Sequence, residues 1–321
     1  MTTPDLSIII VSWNVRELLQ NCLCSVVAQQ GLAQPRLRLQ IIVVDNASDD
    51  GSVEMVAEQF PQVKMIACSD NVGFPKGNNL GLVQANGRFI LLLNPDTVVH
   101  EGAFAQMIRY LQQNEQVGVL GAQLLNEDGT VQSSRRRFPT LKTAFFESTW
   151  LEPYAPRAVL DDYYARDVYV DATGDEETAV VDWVMGACLM TRQEVVAQVG
   201  GLDEAYFMYS EELDYCRRIK QAGWQVVYYP SAKVTHLLGK SSEQAITHRH
   251  INFNQAKLRY FRKYHGRLAA AVLRTFLLLS YSWQLILEAV KGVVGHKRPL
   301  RWQRVRAYWL VLRSGLHPAG F

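Results

Sequence analysis

Short apolar runs recur in the first hundred residues at Leu6–Val11, Leu39–Val44, Val63–Ala67 and Phe89–Leu93. Near-continuous runs of this kind suit strands buried on both faces of a parallel sheet better than half-exposed strands, which alternate. Helix-length segments lie between them at about 15–30, 52–60 and 76–86. Strand, helix, strand with short connections predicts a parallel, nucleotide-binding type of α/β sheet. Further on, helices are expected at about 101–114 and 192–199, and strands at 117–121 and 179–190. Residues 133–178 read as irregular and contain Asp161-Asp162 and Asp175-Glu176-Glu177. A long loop in a compact domain is usually a lid, a binding loop or disorder. From about 245 the pattern turns helical.

The apolar runs give way abruptly to polar residues. The first ends in Ser12-Trp13-Asn14, the second in Asp45-Asn46 and the fourth in Asn94-Pro95-Asp96. Pro95 cannot extend a sheet, so the chain leaves it at once and sets Asp96 at the strand's carboxyl end. Ligands of open α/β sheets bind at that rim. A strand-end Asp is by default a turn residue, and its neighbours decide whether it is more.

Those neighbours are unusually polar. Asp49 to Ser52 read as a turn and helix cap, whereas Asp45 is placed to accept from a base N–H or a ribose hydroxyl. Asp70 to Gly81 (DNVGFPKGNNLG) supplies glycines for close backbone approach or positive φ, and Asn78 and Asn79 as donors. It is neither a Walker A loop nor a GxGxxG loop. A carboxylate at Asp96 would suit a divalent cation escorting a diphosphate. Glu211, Glu212 and Asp214 open a helical pattern after the aromatic segment Ala205 to Tyr209. They read either as a solvated first turn that suits the helix dipole, or as acids whose pKa is lifted toward that of a general base. His236 ends a further strand and would join a metal site only if the fold brings it to Asp96.

Charge is divided along the chain. Residues 257–321 carry thirteen Lys/Arg against Glu288 alone, and the remainder carries 20 Lys/Arg against 30 Asp/Glu. An acidic body with a basic tail can hold cations at one end and meet an anionic surface at the other. Residues 268–290 approach the length of a membrane span, but Arg274, Gln284 and Glu288 interrupt them. Flanking basic residues and Trp283, Trp302, Tyr308 and Trp309 favour an amphipathic anchor lying in the plane of the bilayer. Packing or dimerisation through the tail, and a true span, are the alternatives. No nucleic-acid module accompanies the basic residues. The five cysteines show no CxxC spacing and read as reduced thiols. The start, MTTPDLSIII, lacks the pattern of a signal peptide, so the expected place is the cytoplasm, peripheral on the inner face of the plasma membrane.

Taken in order, VSWN, VVDNASDDGS, NVGFPKGNNLGL, LLLNPDTVV, DGTVQSSRRRFPT, WVMGACLMTR, GGLDEAYFMYSEELDYCRR and VTHLLGKSS resemble the inverting glycosyltransferases of family 2. The rhamnosyltransferase-like branch that builds bacterial cell-surface glycans is the best match. The resemblance covers roughly 6–242 and implies a GT-A fold, a Rossmann-like, mostly parallel nucleotide-binding sheet flanked by helices. It assigns Asp45 to the nucleotide base and Asp96 to the metal, Mg²⁺ or Mn²⁺, with His236 as a further ligand. Asn94 stands where the family's metal motif has its first Asp. Ser12, Asn14, Asn71, Gly73, Asn78, Asn79 and Asn94 fall on the donor side. Arg136, Trp183, Met185, Gly186 and Asp203 fall on the sugar or acceptor side. Glu212 occupies the place of the family's base, usually Asp, with Glu211 and Asp214 as alternatives.

The expectation is a catalytic domain over 1–244 and a basic helical module over 245–321 that associates with membrane or oligomerises. The chain would move a sugar from a UDP- or dTDP-sugar to a hydroxyl of a lipid-linked or growing glycan. A nucleotidyltransferase is a second reading, although the loop after the first strand offers only Arg16. A non-catalytic nucleotide- or glycan-binding module is a third, kept open by Asn94 and Glu212.

Overall fold

The computed structural model describes residues 3–32, 36–147, 149–166, 177–237, 246–295 and 297–317. The chain divides into two compact units. The first holds residues 1–138, 164–204 and 211–241, and the second holds 139–163, 205–210 and 242–321. The helical unit thus includes two segments from the middle of the chain as well as the tail.

The first unit is built on a sheet of β1 (Leu6–Ser12), β2 (Leu39–Asp45), β3 (Lys64–Ala67), β4 (Phe89–Leu93), β5 (Thr97–Val99), β6 (Val117–Leu125), β11 (Cys188–Arg192) and β12 (Gln225–His236), in the order β3-β2-β1-β4-β11-β6-β12-β5. Two short strands attach to it: β7 (Val131–Gln132) pairs with β6, and β9 (Ala179–Val181) with β12. β8 (Arg135–Arg136) and β10 (Trp183–Val184) form a separate ribbon. The first four strands run parallel, with Ser12 opposite Asp45 and Asp45 opposite Ala67. Their ends therefore align at one rim. All seven residues of β1 and all five of β4 are buried, as continuous apolar runs require.

Helices α1 (Arg16–Leu32), α2 (Ser52–Gln59), α3 (Phe74–Gln84), α4 (Ala103–Gln113), α7 (Gln193–Val199) and α8 (Glu211–Gln221) belong to this unit; α5 (Leu141–Phe146) and α6 (Arg157–Tyr163) belong to the other. α3 lies tight against β1 because Gly77 and Gly81 face it. A β-carbon at Gly77 would come within 2.9 Å of Val11 Cγ1, and one at Gly81 would strike Ile9.

Two expectations need correcting. The single strand expected at 179–190 is three strands, β9, β10 and β11, broken at Asp182 and at Met185 to Ala187. Residues 133–178 are not uniformly irregular, since they contain β8, α5 and α6; Asp175 and Glu176 lie outside the described residues. The long strand β12 keeps Pro230 by slipping register between Tyr229 and Lys233, which spares a missing ladder donor.

In the second unit, α9 (Ile246–Val294) is broken at Gly266, whose φ is 90°, and α10 (Arg298–Ser314) packs against α9. Leu273, Leu277, Tyr281 and Val311 are buried. Arg301 binds both oxygens of Glu288 at 2.8 and 2.7 Å. Lys257 pairs with Glu147 at 2.8 Å, and Phe145 meets Phe276 edge-on. Leu268, Val272, Leu279, Trp283, Ile286 and Val290 stand exposed at helical spacing on α9. The stretch His248–Val294 is long and apolar enough to cross a membrane, judged on length and composition.

Candidate active site

The rim of β1, β2 and β4 collects buried polar atoms whose hydrogen bonding is incomplete. Asp45 is 1% exposed; Oδ2 accepts from Ser48 N at 2.8 Å, while Oδ1 has no partner. Ser12 Oγ, Asn46 Oδ1 and Asn94 Oδ1 are likewise buried without partners. A native fold satisfies nearly all such groups, so a cluster of them along one sheet edge is suited to a polar ligand. Asn14, at φ 52°, fixes the rim rather than lining it: its N donates to Ser48 Oγ and its Oδ1 accepts from Asp49 N, both at 2.9 Å. Asp50 accepts from Arg16 N and from Ser52 N, capping the starts of α1 and α2.

Among the asparagines and glycines of the α3 loop, support and approach separate. Asn71 Oδ1 accepts from Gly73 N at 3.1 Å, and Gly73 has φ 85°. Asn78 turns back onto Phe74 O at 2.9 Å. Asn79 donates to Leu202 O and Glu204 Oε1 and accepts from Leu202 N, tying α3 to the Gly-Gly-Leu-Asp turn that carries Asp203. Both amides are engaged by partners within the protein, which the sequence pattern alone did not indicate.

At the end of β4, His236 arrives beside Asp96. β12 runs antiparallel to β5 with His236 opposite Thr97, and Leu237 N donates to Asp96 O at 2.9 Å. His236 Nε2 lies 3.4 Å from Asp96 Oδ1 and 3.4 Å from Asn94 Nδ2. Both side chains are about 5% exposed. Beneath them, burial pushes the Cys22 thiol up to about 12, so it stays protonated beside Thr97. All five cysteines are free thiols.

The acidic pair opens α8. Tyr209 and Ser210, just before it, have φ of 72° and 61°, a costly backbone region that clusters at functional sites. Glu211 is buried and Glu212 half-buried, and Oε2 of each lacks a hydrogen-bond partner. Burial holds the Glu211 carboxyl well above the usual range, and the adjacent Glu212 adds to it. Burial also raises Glu212, opposed by the N–H groups of Glu212, Gly186 and Leu213 and by Arg136. Two adjacent carboxylates in a poorly solvated place do not ionise together. Burial thus favours a single shared negative charge on the Glu211–Glu212 pair, and Arg136 and the N–H groups of Gly186 and Leu213 act on Glu212. Asp214 is engaged elsewhere: wholly buried, it accepts from Arg218 Nε at 2.8 Å, and Arg218 also binds Val199 O and Gly201 O.

The ribbon of β8 and β10 brings the remaining candidates together. Arg136 lies opposite Trp183, Trp183 Nε1 donates to Arg137 O, and Met185 N donates to Ser134 O. Gly186 packs on Glu212, and the next residue, Ala187, accepts from Asn94 N at 3.0 Å. One short turn thus links the Asn94–Asp96 loop to the acidic pair. Sequence reasoning passed over Asn46 and Gln132, which receives His236 Nδ1 at 2.7 Å. For Asn46, its place beside Asp45 at a strand end was the signal.

A family model described as "Glycosyltransferase like family 2" matches residues 4–250. The chain belongs to that family. Among its curated relatives is the N-acetylglucosaminyl-diphospho-decaprenol L-rhamnosyltransferase of Mycobacterium tuberculosis H37Rv, 28% identical over 209 residues, which is 62% of this chain and 66% of that protein. The matched region therefore spans slightly under two thirds of that relative. Rhamnosyltransferase WbbL of Escherichia coli K12 is 26% identical over 212 residues, 61% of this chain and 72% of that one. Among solved structures, a mannosyltransferase from Pyrobaculum calidifontis in complex with GDP-Man and Mn²⁺ superposes with a TM-score of 0.55 at 16% identity, covering 98% of this chain and 87% of that one. The expected GT-A fold is the fold found.

Proposed function

We propose that the chain is an inverting glycosyltransferase taking a UDP- or dTDP-sugar, rhamnose being the sugar its relatives suggest, to a hydroxyl of a lipid-linked or growing glycan. The observation that carries this is the pairing of an orphan-rich rim, Ser12, Asp45, Asn46 and Asn94, with a desolvated carboxylate pair at the other end of the Met185–Ala187 turn. Asp45 would take the base or ribose. Glu212 would accept the proton of the acceptor hydroxyl as its oxygen bonds to the anomeric carbon. The bond to the donor's diphosphate breaks on the opposite face, and its electron pair leaves with the nucleotide. Arg136, Trp183 and Met185, around Glu212, would hold the sugar or acceptor, with Asp203 on the neighbouring turn.

The residues present fit a divalent cation. Asp96 and His236 converge, and no group of three or more His, Cys, Asp or Glu able to hold a metal occurs among the described residues. Cations that escort diphosphates commonly take one or two protein ligands and complete their shell with phosphate oxygens and water. Such a cation, Mg²⁺ or Mn²⁺, would neutralise charge on the departing diphosphate. The mannosyltransferase structure contains Mn²⁺ with its nucleotide sugar. The basic, apolar surface of α9 and α10 would hold the chain on an anionic membrane, where a lipid-linked acceptor lies.

The test is a sugar-nucleotide screen by thermal shift with and without Mn²⁺, since a ligand of the folded state raises its apparent stability. The donor that shifts the melting temperature is then assayed for turnover. Glu212→Gln should keep the shift and lose about 10²–10⁴ in kcat, the usual worth of a general base. Asp96→Ala should lose the Mn²⁺ dependence of the shift. Normal turnover by Glu212→Gln would refute the assignment of the base, and release of pyrophosphate would show a nucleotidyltransferase instead.

A further inference from the structure

The turn between β6 and β7 carries a chain of hydrogen bonds that ends on His236. Its outer end is Asp128, an exposed carboxylate that accepts from Thr130 N at 3.0 Å and from Thr130 Oγ1 at 2.6 Å. Thr130 Oγ1, having spent its hydrogen there, accepts from Asn126 Nδ2 at 2.9 Å. Asn126 Oδ1 accepts from Gln132 Nε2 at 3.0 Å. The same Gln132 nitrogen donates to His236 O at 3.3 Å, and Gln132 Oε1 lies 2.7 Å from His236 Nδ1.

Every role in this chain is set by its ends. A carboxylate only accepts, so the Thr130 hydroxyl donates to it, and each amide is thereby oriented with nitrogen outward and oxygen inward. Gln132 Oε1 can only accept, so His236 Nδ1 carries hydrogen. A neutral imidazole then has its lone pair on Nε2. Asn94 Nδ2 and Asp96 Oδ1 each lie 3.4 Å from Nε2. Two lone-pair atoms facing each other at this separation suit a cation between them.

The sheet imposes this geometry. β7 pairs with β6 through Leu124 opposite Gln132, and β12 pairs with β6 through Thr235 opposite Leu125. Gly129, at φ 81°, allows the turn that brings Asp128 back over Thr130. Gln132 is 7% exposed and on a strand of two residues, where an apolar side chain would otherwise be expected.

We infer that Gln132, oriented from Asp128 through Thr130 and Asn126, is a positioning residue that holds His236 in its Nδ1–H tautomer and so aims Nε2 at the cation beside Asp96. This rests on the reading of His236 as a cation ligand. Groups that orient a ligating histidine in this way commonly change metal affinity 10–100-fold when removed. The other tautomer would put hydrogen on Nε2 and block coordination.

The test uses the full chain in two arms. In the first, histidine-selective ¹⁵N labelling and long-range proton–nitrogen correlation without metal should show His236 protonated at Nδ1, identified by its loss in His236→Ala. Gln132→Leu should move the hydrogen to Nε2, while Gln132→Glu, which keeps an acceptor, should restore Nδ1–H. In the second, Mn²⁺ binding is followed by electron paramagnetic resonance with UDP or dTDP, whichever tightens it in the unaltered chain. Gln132→Leu should weaken Mn²⁺ by about 10–100-fold, and Gln132→Glu should recover most of it. If Gln132→Leu unfolds, Thr130→Val, at the exposed end, should give a smaller shift of the same sign. An Nε2–H imidazole in the unaltered chain, or an unchanged tautomer in Gln132→Leu, would overturn the inference. Unchanged Mn²⁺ affinity in His236→Ala would instead remove the ligand reading, leaving the tautomer result to stand by itself.

Discussion

A β-carbon on Gly186 would lie 3.4 Å from Glu212 Cβ and 3.7 Å from its Cγ. A methyl group at 186 would just touch the acid and a larger side chain would crowd it, while the neighbouring Ala187 holds the Asn94 backbone. Gly186→Val should push Glu212 aside and lower kcat by about 10²-fold, the cost of a misplacement near 1 Å. The loss should nearly vanish in a Glu212→Gln background, because two changes acting through one group are not additive. Steady-state kinetics on the four chains checks this; equal losses in both backgrounds would mean that Gly186 acts independently of Glu212.

The acidic pair makes both rate and stability depend on pH. Because burial raises Glu212 above its ordinary value of 4.5, kcat/KM should climb through a limb lying above the ordinary carboxylate range as the base loses its proton. The stability sign is opposite to that of a salt-bridged acid. Glu211 holds its proton more tightly folded than unfolded, so between its unfolded and folded pKa the native state binds more protons and stability falls as pH rises. Glu211→Gln removes that loss and should raise the melting temperature more at pH 8 than at pH 5. A difference of equal size at both values would show that burial of Glu211 is not what couples folding to pH.

Much of this arrangement was legible in the sequence, for a physical reason. Strands buried on both faces must be continuously apolar, so Leu6–Ser12 and Phe89–Leu93 announced themselves, and the polar residues closing them had to sit at one rim. His236 beside Asp96 was not legible. It depends on the antiparallel register of β12 with β5, between segments about 140 residues apart, and β5 has three residues. A strand ending at His236 was legible, whereas its full length, Gln225–His236, was hidden by Pro230, which a register slip accommodates. Asn79 looked like a donor ligand because an amide's partners cannot be read from spacing, and here they come from Leu202 and Glu204. Gln132 offered only a polar residue in a two-residue strand. Its meaning lies in four side-chain bonds that no periodicity encodes.

The glycines of α3 give a stability prediction separate from chemistry. Gly81 has no room for a β-carbon, because Ile9 occupies that space at 0% exposure in the middle of β1. Although alanine favours helices over glycine by up to about 1 kcal/mol, Gly81→Ala should destabilise by about 1–3 kcal/mol, the usual cost of overpacking. Gly81→Ala with Ile9→Val should recover part of the loss. Chemical denaturation measures both, and a Gly81→Ala chain more stable than the unaltered one would show that α3 shifts freely on the sheet.

In the helical unit, α9 buries one face, Leu273, Leu277 and Tyr281, yet leaves Leu268, Val272, Leu279, Trp283, Ile286 and Val290 in solvent. Arg262, Lys263 and Arg267 precede that stripe and Lys291, Lys297 and Arg298 come after it. An apolar stripe between basic clusters suits the interface plane of an anionic bilayer, where each basic residue contributes about 1 kcal/mol before screening. Glu288 does not oppose this, since Arg301 and Arg304 neutralise it. The chain should co-sediment with vesicles containing phosphatidylglycerol, be partly released by 1 M salt, for which the Debye length is about 3 Å, and bind neutral vesicles weakly. Leu279→Gln with Trp283→Gln should reduce the salt-resistant fraction while leaving the melting temperature nearly unchanged, because both side chains are exposed at 66% and 50%. Release that needs detergent at every salt concentration would mark α9 as a membrane span. Unchanged vesicle binding in the double variant, together with loss of a dimer, would make the stripe a contact between two copies of the chain.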